Sequence, residues 1–266
     1  FNTMSSEEIK RMYLEKSHGM GFSLIEGTKG LFDGISTDGA DSNARLASLL
    51  KSQVLLVIDC EGITRGIAPL LEGYKSFGKK LKLSKVILNN VSTSRHESKL
   101  ISAISRYTDF RVLGVIPSIK NFIVERHLGL VPTFQHPQKK KVLSSLVSII
   151  KNNTDYKKLL PLNSKSQKKV IKSSHTKKKN SLVVGIASDA AFGFYYPDDM
   201  EEIEKQGCRV KKIDLTREAS LPSIDGLFIG GGFPEIQAQK LQNNRSMKKS
   251  IRNAINQGLP VYAECG

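Results

Sequence analysis

The run Val54-Leu55-Leu56-Val57-Ile58 is continuously apolar and leads into the carboxylate of Asp59. Three similar, mostly apolar runs lie on either side of it: residues 22–25 before Glu26, residues 86–88 before Asn89, and residues 112–116 before Pro117. Short apolar runs of this kind predict buried β-strands. Ligands collect at the carboxyl ends of strands in parallel sheets, where Glu26, Asp59 and Asn89 are predicted to lie.

Amphipathic helices are predicted between and after these runs. Ser5-x-x-Glu8 and Ser94-x-x-Glu97 both have the spacing of a capping box, which marks a helix start. Residues 143–150 carry apolar side chains at helical spacing, which predicts a helix docked by Leu143, Leu146, Val147 and Ile150. Apolar strands that alternate with amphipathic helices indicate a parallel sheet covered on both faces.

A second α/β pattern begins at residues 182–186 and shows no evident repeat of the first. It continues with a helix over 198–206, strands near Val210 and at 227–229, helices over 235–257, and a strand that leads into Cys265. The predicted organisation is therefore two α/β domains, residues 1–137 and 181–266. Residues 138–180 between them are expected to form a basic helix and a lysine-rich linker.

The net charge of +16 is concentrated in one segment. Residues 139–180 contain thirteen lysines, one acid, Asp155, and no arginine. Tyr156 is the only aromatic residue there, so the segment lacks the bidentate and stacking groups of specific nucleic-acid readers. A solvated linker is favoured and nucleic acid is not the expected partner, although a non-catalytic protein whose lysine-rich segment binds nucleic acid or an acidic surface stays open as an alternative.

The three cysteines, Cys60, Cys208 and Cys265, are widely spaced and form no C-x-x-C pair. This pattern favours a reduced, cytoplasmic protein. No run approaches the roughly 20 apolar residues of a membrane span, and no secretory signal opens the chain. Because the first residue is Phe1 rather than methionine, the sequence reads as an internal piece of a longer protein.

Two features in the second half favour nucleophilic chemistry. The glycines of Gly230-Gly231-Gly232-Phe233-Pro234-Glu235 follow a strand directly, which suits an oxyanion hole or anion nest, although a tight strand-to-helix turn gives the same pattern. Cys265 follows an apolar strand and precedes Gly266, as in a nucleophile elbow. A dipole from a following helix would favour its thiolate, whereas a buried structural cysteine is the alternative.

The first half offers candidates for nucleotide chemistry. Glu26 and Asp33 lie seven residues apart on a glycine-rich loop and could ligate Mg²⁺ held by nucleotide phosphates, although acidic residues are also common in turns. No G-x-x-x-x-G-K-[ST] phosphate loop occurs in the chain. None of the five histidines is assigned a catalytic role, and His96 and His127 are the two that could contact a ligand.

Several runs resemble the cobyrinic acid a,c-diamide synthase family, and the resemblance covers nearly the whole chain in the right order. The runs that carry it are Glu26-Gly27 through Leu31-Phe32-Asp33-Gly34, Val86-Ile87-Leu88-Asn89 with Ser94-Arg95-His96-Glu97, Glu125-Arg126-His127-Leu128-Gly129-Leu130, Asp189-Ala190-Ala191-Phe192-Gly193-Phe194-Tyr195-Tyr196-Pro197, Gly231-Gly232-Phe233-Pro234-Glu235 and Tyr262-Ala263-Glu264-Cys265-Gly266. The lysine-rich residues 162–180 are the least comparable.

The resemblance implies a partial P-loop amidoligase domain, similar to dethiobiotin synthetase, followed by a partial class I glutamine amidotransferase-like domain. It implies ATP- and glutamine-dependent amidation of the a and c carboxylates of cobyrinic acid in cobalamin biosynthesis. The expected partners are cobyrinic acid, glutamine and ATP with Mg²⁺, and a homodimer stays open. A sibling enzyme that amidates hydrogenobyrinic acid or a nickel-sirohydrochlorin is the alternative.

Family roles carry over to positions in this sequence. Cys265 is expected to attack glutamine, and backbone N–H groups are expected to stabilise the oxyanion at four positions: Gly231, Gly232, Phe233 and Gly266. Glu26 and Asp33 are expected to hold Mg²⁺ with ATP, and Asn89 to contact the adenine.

Parts of the family's sequence pattern are missing at both ends of this sequence. The family's phosphate loop would precede residue 1, and the histidine and acid of the glutaminase triad would follow residue 266. The family's second glycine after the nucleophile is absent as well. The isolated 266 residues are therefore expected to be inactive in both half-reactions.

Overall fold

The computed structural model describes residues 3–119, 125–126, 129–130, 139–158 and 182–265. The chain divides into two compact units, Phe1–Ile171 and Lys172–Gly266. Within the described ranges, no helix has both the length and the apolar character needed to cross a membrane.

The first unit is built on a three-stranded parallel sheet of order β1-β2-β3. A short antiparallel pair, β4 and β5, forms a separate ladder. The described elements, in chain order, are α1 (Ser6–Ser17), α2 (Asn43–Leu50), β1 (Val54–Asp59), α3 (Ile67–Phe77), β2 (Leu83–Val91), α4 (Ser94–Tyr107), β3 (Arg111–Pro117), β4 (Glu125–Arg126), β5 (Gly129–Leu130), α5 (Lys139–Asn153) and a 3₁₀ turn at Tyr156–Lys158.

Alternation along β2 divides the apolar side chains between the two faces of this sheet. Val86 and Leu88 belong to a core cluster that also contains residues of α3 and α4, including the fully buried Leu71 and Leu100. Ile87 faces the other way and packs with a cluster that α5 joins through Ile149. The sheet thus has helices on both faces, as the sequence predicts for a buried parallel sheet.

Residues 22–25 are not a strand, which corrects the prediction for the run before Glu26. The segment has no regular secondary structure, no strand of the described residues pairs with it, and Leu24 is 83% exposed. A strand needs a neighbouring ladder for its backbone groups, and an apolar run alone does not supply one. Glu26 therefore follows an unpaired, irregular segment rather than a strand of the sheet.

The two predicted capping boxes have different outcomes. The Glu8 N–H donates to Ser5 Oγ at 3.3 Å and the Ser5 N–H to Glu8 Oε2 at 2.7 Å, so the box before α1 is confirmed. Before α4 the cap is Thr93, whose Oγ1 accepts the His96 N–H at 3.1 Å. The prediction of Ser94 as the cap was wrong by one residue: Ser94 is the first residue of α4, and the residue three positions after Thr93 is His96 rather than a glutamate.

Helix α5 forms as predicted but docks by a different face. Its contact with the sheet comes from Ile149, whereas Leu143, Val147 and Ile150 are 49%, 50% and 42% exposed. The predicted docking stripe is therefore mostly turned to solvent. Helical spacing identified the helix but not which of two adjacent apolar rows would be covered.

The second unit is a four-stranded parallel sheet of order β11-β9-β6-β8, with an antiparallel pair of β10 and β7 beside it. Its elements are β6 (Val183–Ala187), β7 (Phe192–Phe194), α6 (Pro197–Lys205), β8 (Arg209–Ile213), β9 (Gly226–Ile229), β10 (Gly231–Gly232), a 3₁₀ turn at Pro234–Gln237, α7 (Ala238–Asn243), α8 (Arg245–Asn256) and β11 (Val261–Ala263). Two successive parallel sheets confirm the predicted α/β class.

The core of the second unit lies between the sheet and α8. Met247 of α8 is 2% exposed and packs with Ala187, Ile213 and Leu227 from three neighbouring strands. Because all four strands are parallel, the carboxyl ends of β6, β9 and β11 meet at one edge. The residues that follow these strands are therefore brought together.

Candidate active site

Cys265 lies at that edge, two residues beyond β11. The Glu264 N–H donates to the Ile229 carbonyl at 3.0 Å, so the pairing with β9 continues up to the residue before the cysteine. Cys265 then adopts φ of +72° and is exposed. Non-glycine residues take this left-handed conformation rarely, and at functional sites more often than elsewhere.

The glycine segment, predicted to form an oxyanion hole, an anion nest or a tight turn, is partly a strand. Gly231 and Gly232 form β10, in register with Phe194 and Phe192 of β7. A Cβ on Gly232 would lie 2.0 Å from the Ala191 carbonyl oxygen, so only glycine fits against this backbone. The sequence pattern missed the pairing because β7 has only three residues.

The pairing corrects one predicted oxyanion donor. The Phe233 N–H donates to the Ala191 carbonyl at 2.8 Å, so this N–H is already satisfied within the protein. The Phe233 side chain is buried and meets Phe194 edge to face, with ring centroids 5.2 Å apart. Gly266, another predicted donor, lies outside the described residues.

Gly231 is the predicted donor that the structure places against the cysteine. A Cβ built on Gly231 would be 3.3 Å from Cys265 Cβ and 3.5 Å from Sγ. The absence of a side chain at this position therefore lets the backbone approach the thiol closely. Backbone that lies this close to a nucleophile can serve acyl transfer, because backbone N–H groups are able to stabilise a developing oxyanion.

Tyr195, which the sequence analysis did not assign to the site, holds the start of this glycine segment. Its hydroxyl accepts the Gly230 N–H at 2.9 Å and donates to the Ala187 carbonyl at the end of β6. A Cβ on Gly230 would lie 2.5 Å from the tyrosine ring, so the ring packs directly on the glycine. Burial raises the pKa of Tyr195, which keeps the hydroxyl protonated at neutral pH.

Asp189 organises the turn that supports Phe233. Its Oδ1 accepts the N–H groups of Ala191 at 2.7 Å and Phe192 at 3.0 Å, and its Oδ2 accepts the Leu215 N–H at 2.7 Å. The carboxylate thus fixes the Ala191 backbone that in turn binds Phe233. The only sequence signal for Asp189 and Tyr195 was their place in the run quoted for the resemblance.

Three aromatic rings form a row in the second unit. Phe228 of β9 meets Tyr195 and Tyr262 edge to face, with ring centroids 5.2 and 5.3 Å apart. The Tyr262 hydroxyl donates to Glu264 Oε2 at 3.1 Å, and this hydrogen bond is the main cause of the raised pKa of Tyr262. The residue before Cys265 is therefore held through its side chain as well as its backbone.

In the first unit, Asn89 lies inside β2 rather than at its end. It is in register with Asp59 of β1, and its carbonyl accepts the Cys60 N–H at 2.9 Å. The next residue, Asn90, has φ of +57° and donates from Nδ2 to Asp59 Oδ1 at 3.1 Å. The Glu61 N–H, with Asn90 as the second cause, lowers the pKa of Asp59.

The predicted magnesium ligands, Glu26 and Asp33, are both exposed. Asp33 Oδ2 lies 2.0 Å from where a Cβ on Gly30 would stand, so the glycine lets this carboxylate lie over the backbone. No cluster of three or more histidine, cysteine or acidic side chains arranged for a metal occurs among the described residues. The donor set nevertheless suits Mg²⁺ bound to a nucleotide, which commonly takes one or two carboxylates and completes its shell with phosphate oxygens and water.

Asp41, which the sequence analysis missed, is the carboxylate that orders this loop. Its Oδ2 accepts the Ile35 N–H at 2.8 Å, its Oδ1 accepts the Ser36 N–H at 3.2 Å, and Lys29 Nζ is 3.5 Å from Oδ2. The side chain of Asp41 is only 12% exposed. Asp41 thus binds the backbone just after Asp33, while the Asp33 N–H donates to the Gly30 carbonyl at 3.2 Å.

His96 has both ring nitrogens engaged by the protein. Nε2 donates to the Ile63 carbonyl at 2.5 Å, and Nδ1 lies 3.1 Å from Ser92 Oγ. The imidazole thus ties the loop after β1 to the start of α4, which explains its place without a ligand. His127, the other histidine predicted as a ligand contact, lies outside the described residues.

Comparison with known proteins covers both units. Residues 3–126 match the AAA domain family, and residues 183–266 match the CobB/CobQ-like glutamine amidotransferase domain family. The cobyrinate a,c-diamide synthase of Magnetococcus marinus is 37% identical over 99% of this chain and 58% of its own length. Those of Caldanaerobacter subterraneus and Listeria innocua are 35% and 38% identical, over 99% and 98% of the chain.

The chain belongs to the cobyrinate a,c-diamide synthase family. It spans about three-fifths of the length of the curated relatives it matches. A comparison with solved structures gave no significant match.

The two matched regions divide the predicted site residues of this family member between them. Glu26, Asp33 and Asn89 fall in the AAA domain match, and Gly231 and Cys265 in the glutamine amidotransferase match. The structure brings Gly231 and Cys265 together, whereas Glu26 lies in an irregular segment and Asn89 inside a strand.

Proposed function

We propose that this chain takes part in the ATP- and glutamine-dependent amidation of the a and c carboxylates of cobyrinic acid, a reaction of cobalamin biosynthesis. The observation that carries the proposal is the exposed, left-handed Cys265 facing the Gly231 backbone, within the region that matches a glutamine amidotransferase domain. The relatives named cobyrinate a,c-diamide synthase support cobyrinic acid as the substrate.

In the glutaminase half-reaction, Cys265 Sγ attacks the side-chain amide carbon of glutamine. Backbone N–H groups of Gly231, Gly232 and Gly266 are the proposed donors to the oxyanion of the tetrahedral intermediate. The intermediate collapses with loss of ammonia, which carries away the thiol proton, and leaves a thioester on Cys265. Water then hydrolyses the thioester to glutamate and restores the thiol.

In the synthetase half-reaction, a carboxylate of cobyrinic acid attacks the terminal phosphorus of ATP and gives an acyl phosphate and ADP. Ammonia then displaces phosphate from the acyl carbon to form the amide. Mg²⁺, when bound with ATP, neutralises phosphate charge, and Glu26 and Asp33 are the residues proposed to hold it. Asn89 is proposed to contact the adenine from the neighbourhood of the β2 carboxyl end.

The cytoplasm is the proposed compartment. All three cysteines, Cys60, Cys208 and Cys265, are free, which fits a compartment that keeps thiols reduced. A cysteine can also act as a nucleophile only while its thiol is reduced.

The test uses the protein encoded by the complete gene, supplied with ATP, Mg²⁺ and cobyrinic acid, with either glutamine or ammonium as nitrogen donor. Cys265→Ala is expected to abolish amidation from glutamine and to leave amidation from ammonium intact, because only the first route uses the thiol. Glutamine-dependent amidation by Cys265→Ala at the wild-type rate would refute the assigned nucleophile. Hydrogenobyrinic acid and nickel-sirohydrochlorin are assayed in parallel, and preference for either would reject cobyrinic acid as the substrate.

A further inference from the structure

Tyr195 is the one side chain of the described residues that hydrogen-bonds both to the end of β6 and to the glycine segment facing Cys265. Its hydroxyl donates to the Ala187 carbonyl and accepts the Gly230 N–H at 2.9 Å. Gly230 and Tyr195 are 35 residues apart in sequence, so this bond fixes a long-range relationship.

Gly231 lies between two backbone anchors. On one side, the Gly230 N–H is bound by the Tyr195 hydroxyl; on the other, the Phe233 N–H is bound by the Ala191 carbonyl at 2.8 Å. Three consecutive glycines have more backbone freedom than any other sequence, so their direction must be imposed from outside. The two anchors supply that restraint next to the Cys265 thiol.

We infer that Tyr195 is a positioning residue for glutamine cleavage: its hydroxyl, through Gly230, holds the Gly231 backbone in register with Cys265. The inference rests on the proposed glutaminase function and adds a residue to it. Tyr195 acts through the glycine segment rather than by contact with the thiol. Donor geometry matters most in the transition state. Loss of the Tyr195 hydroxyl should therefore destabilise the transition state more than it weakens glutamine binding.

The hydroxyl and the ring of Tyr195 have separable roles. The ring packs on Gly230 and lies edge to face with Phe228 at 5.2 Å, contacts that a phenylalanine retains. Only the two hydrogen bonds depend on the oxygen. Tyr195→Phe therefore removes the anchor and leaves the packing in place. Tyr196→Phe is the matched control, because the adjacent tyrosine is 76% exposed.

The experiment measures glutamine hydrolysis by the protein encoded by the complete gene, for wild type, Tyr195→Phe and Tyr196→Phe. Tyr195→Phe is expected to lower kcat by about tenfold, less than the hundredfold or more that follows loss of an oxyanion donor itself. KM for glutamine is expected to change by less than about twofold, since the removed restraint acts on the transition state. Tyr196→Phe is expected to match wild type.

Two thiol reagents separate positioning from general damage. The glutamine analogue 6-diazo-5-oxo-L-norleucine places a carbonyl at the site of attack, whereas iodoacetamide alkylates an accessible thiol without an oxyanion. Tyr195→Phe is expected to slow labelling of Cys265 by the analogue and to leave labelling by iodoacetamide unchanged. Thermal unfolding of each variant shows how much of any loss comes from unfolded protein.

An unchanged kcat in Tyr195→Phe would overturn the inference. A parallel loss with both reagents, or a loss matched by the unfolded fraction, would also overturn it, because either result means that Tyr195 only supports the fold. Wild-type protein that neither hydrolyses glutamine nor reacts with the analogue at Cys265 would reject the proposed glutaminase, and the inference with it. Glutamine hydrolysis and labelling by the analogue are therefore measured on the wild-type protein before any variant is compared.

Discussion

Gly231 lies directly against the thiol of Cys265, with the position of its missing Cβ only 3.5 Å from Sγ. The two residues follow neighbouring parallel strands, β9 and β11, whose carboxyl ends meet at one edge of the sheet. Under the proposed function, the carbonyl of a bound glutamine would lie beside these two residues. Substitution at Gly231 is therefore a test of the site rather than of the fold.

Gly231→Ala is expected to lower kcat for glutamine hydrolysis by about 10- to 100-fold, because displacement of reacting groups by less than an ångström has effects of this size. The added methyl would stand 3.3 Å from Cys265 Cβ, a tight contact that small shifts can relieve. Stability should change little. Gly226→Ala is the control, since its nearest neighbour would be 3.8 Å away. Equal kcat in the two variants would contradict the assigned site.

Gly232→Ala is expected to damage the fold instead. Its Cβ would lie 2.0 Å from the Ala191 carbonyl oxygen, and backbone cannot rotate away as a side chain can. Relief requires separation of β10 from β7, at a cost of about 1–3 kcal/mol, typical of overpacking. Urea denaturation followed by hydrogen exchange in the second unit measures this loss. If Gly232→Ala were as stable as Gly226→Ala, the contact between β10 and β7 would have to be less tight than the 2.0 Å approach indicates.

Asp189→Asn is expected to destabilise the second unit by about 1.5–3 kcal/mol, the range for hydrogen bonds to a charged group. Both carboxylate oxygens of Asp189 accept backbone N–H groups, so an amide must turn a donor toward one of them. The same denaturation experiment measures the change, with Glu204→Gln, an exposed position on α6, as the control. Equal stability of the two variants would rule out a structural role for the carboxylate.

Most of the fold could be predicted because buried parallel strands are continuous apolar runs. The run at Val54 and those at residues 86–88 and 182–186 lie in strands that pair as expected. Residues 22–25 show the limit of this signal: they are as apolar as a strand, but pairing depends on a neighbour that the run itself does not encode. The same holds for α5, where Ile149 rather than Leu143 contacts the sheet.

The place of Cys265 beside the glycine segment could be predicted from local sequence, whereas the residues that support this arrangement could not. Cys265 and the glycines have local signatures, and the parallel topology brings them together. Tyr195 and Asp189 act through backbone N–H groups 35 and 26 residues away, and no local spacing reports such contacts. The role predicted for the Phe233 N–H was wrong because a three-residue strand, β7, is too short to recognise in sequence.

The three cysteines should differ sharply in their reaction with iodoacetamide under native conditions. Cys265 is exposed, Cys208 is half-buried, and Cys60 is fully buried in the core of the first unit, where burial raises the pKa of its thiol. Cys60 is expected to react at least about a hundredfold more slowly than Cys265, because the reagent reaches it only when the core opens. Mass spectrometry of peptides from native and urea-treated protein measures both rates. Comparable native rates would contradict the described burial.

The loop that carries Asp33 should depend on pH through Asp41. The Ile35 N–H first, and the Ser36 N–H second, hold the pKa of Asp41 below its usual value, with Lys29 adding to the effect. A carboxyl whose pKa is lower in the folded state stabilises the fold fully above its unfolded pKa of about 3.9. That contribution is lost as the pH falls through the lower, folded value.

Asp41→Asn is therefore expected to lower the stability of the first unit at pH 7, because the amide cannot accept at both of its ends. The difference from wild type should shrink below about pH 4, where the wild-type carboxyl begins to lose its advantage. Urea denaturation at pH 7 and at pH 3 measures both differences, with Glu61→Gln as a control that removes one exposed charge from the same unit. The difference in the free energy of unfolding between Asp41→Asn and wild type could instead stay constant or widen in acid. That result would show that the Asp41 carboxylate does not hold this loop.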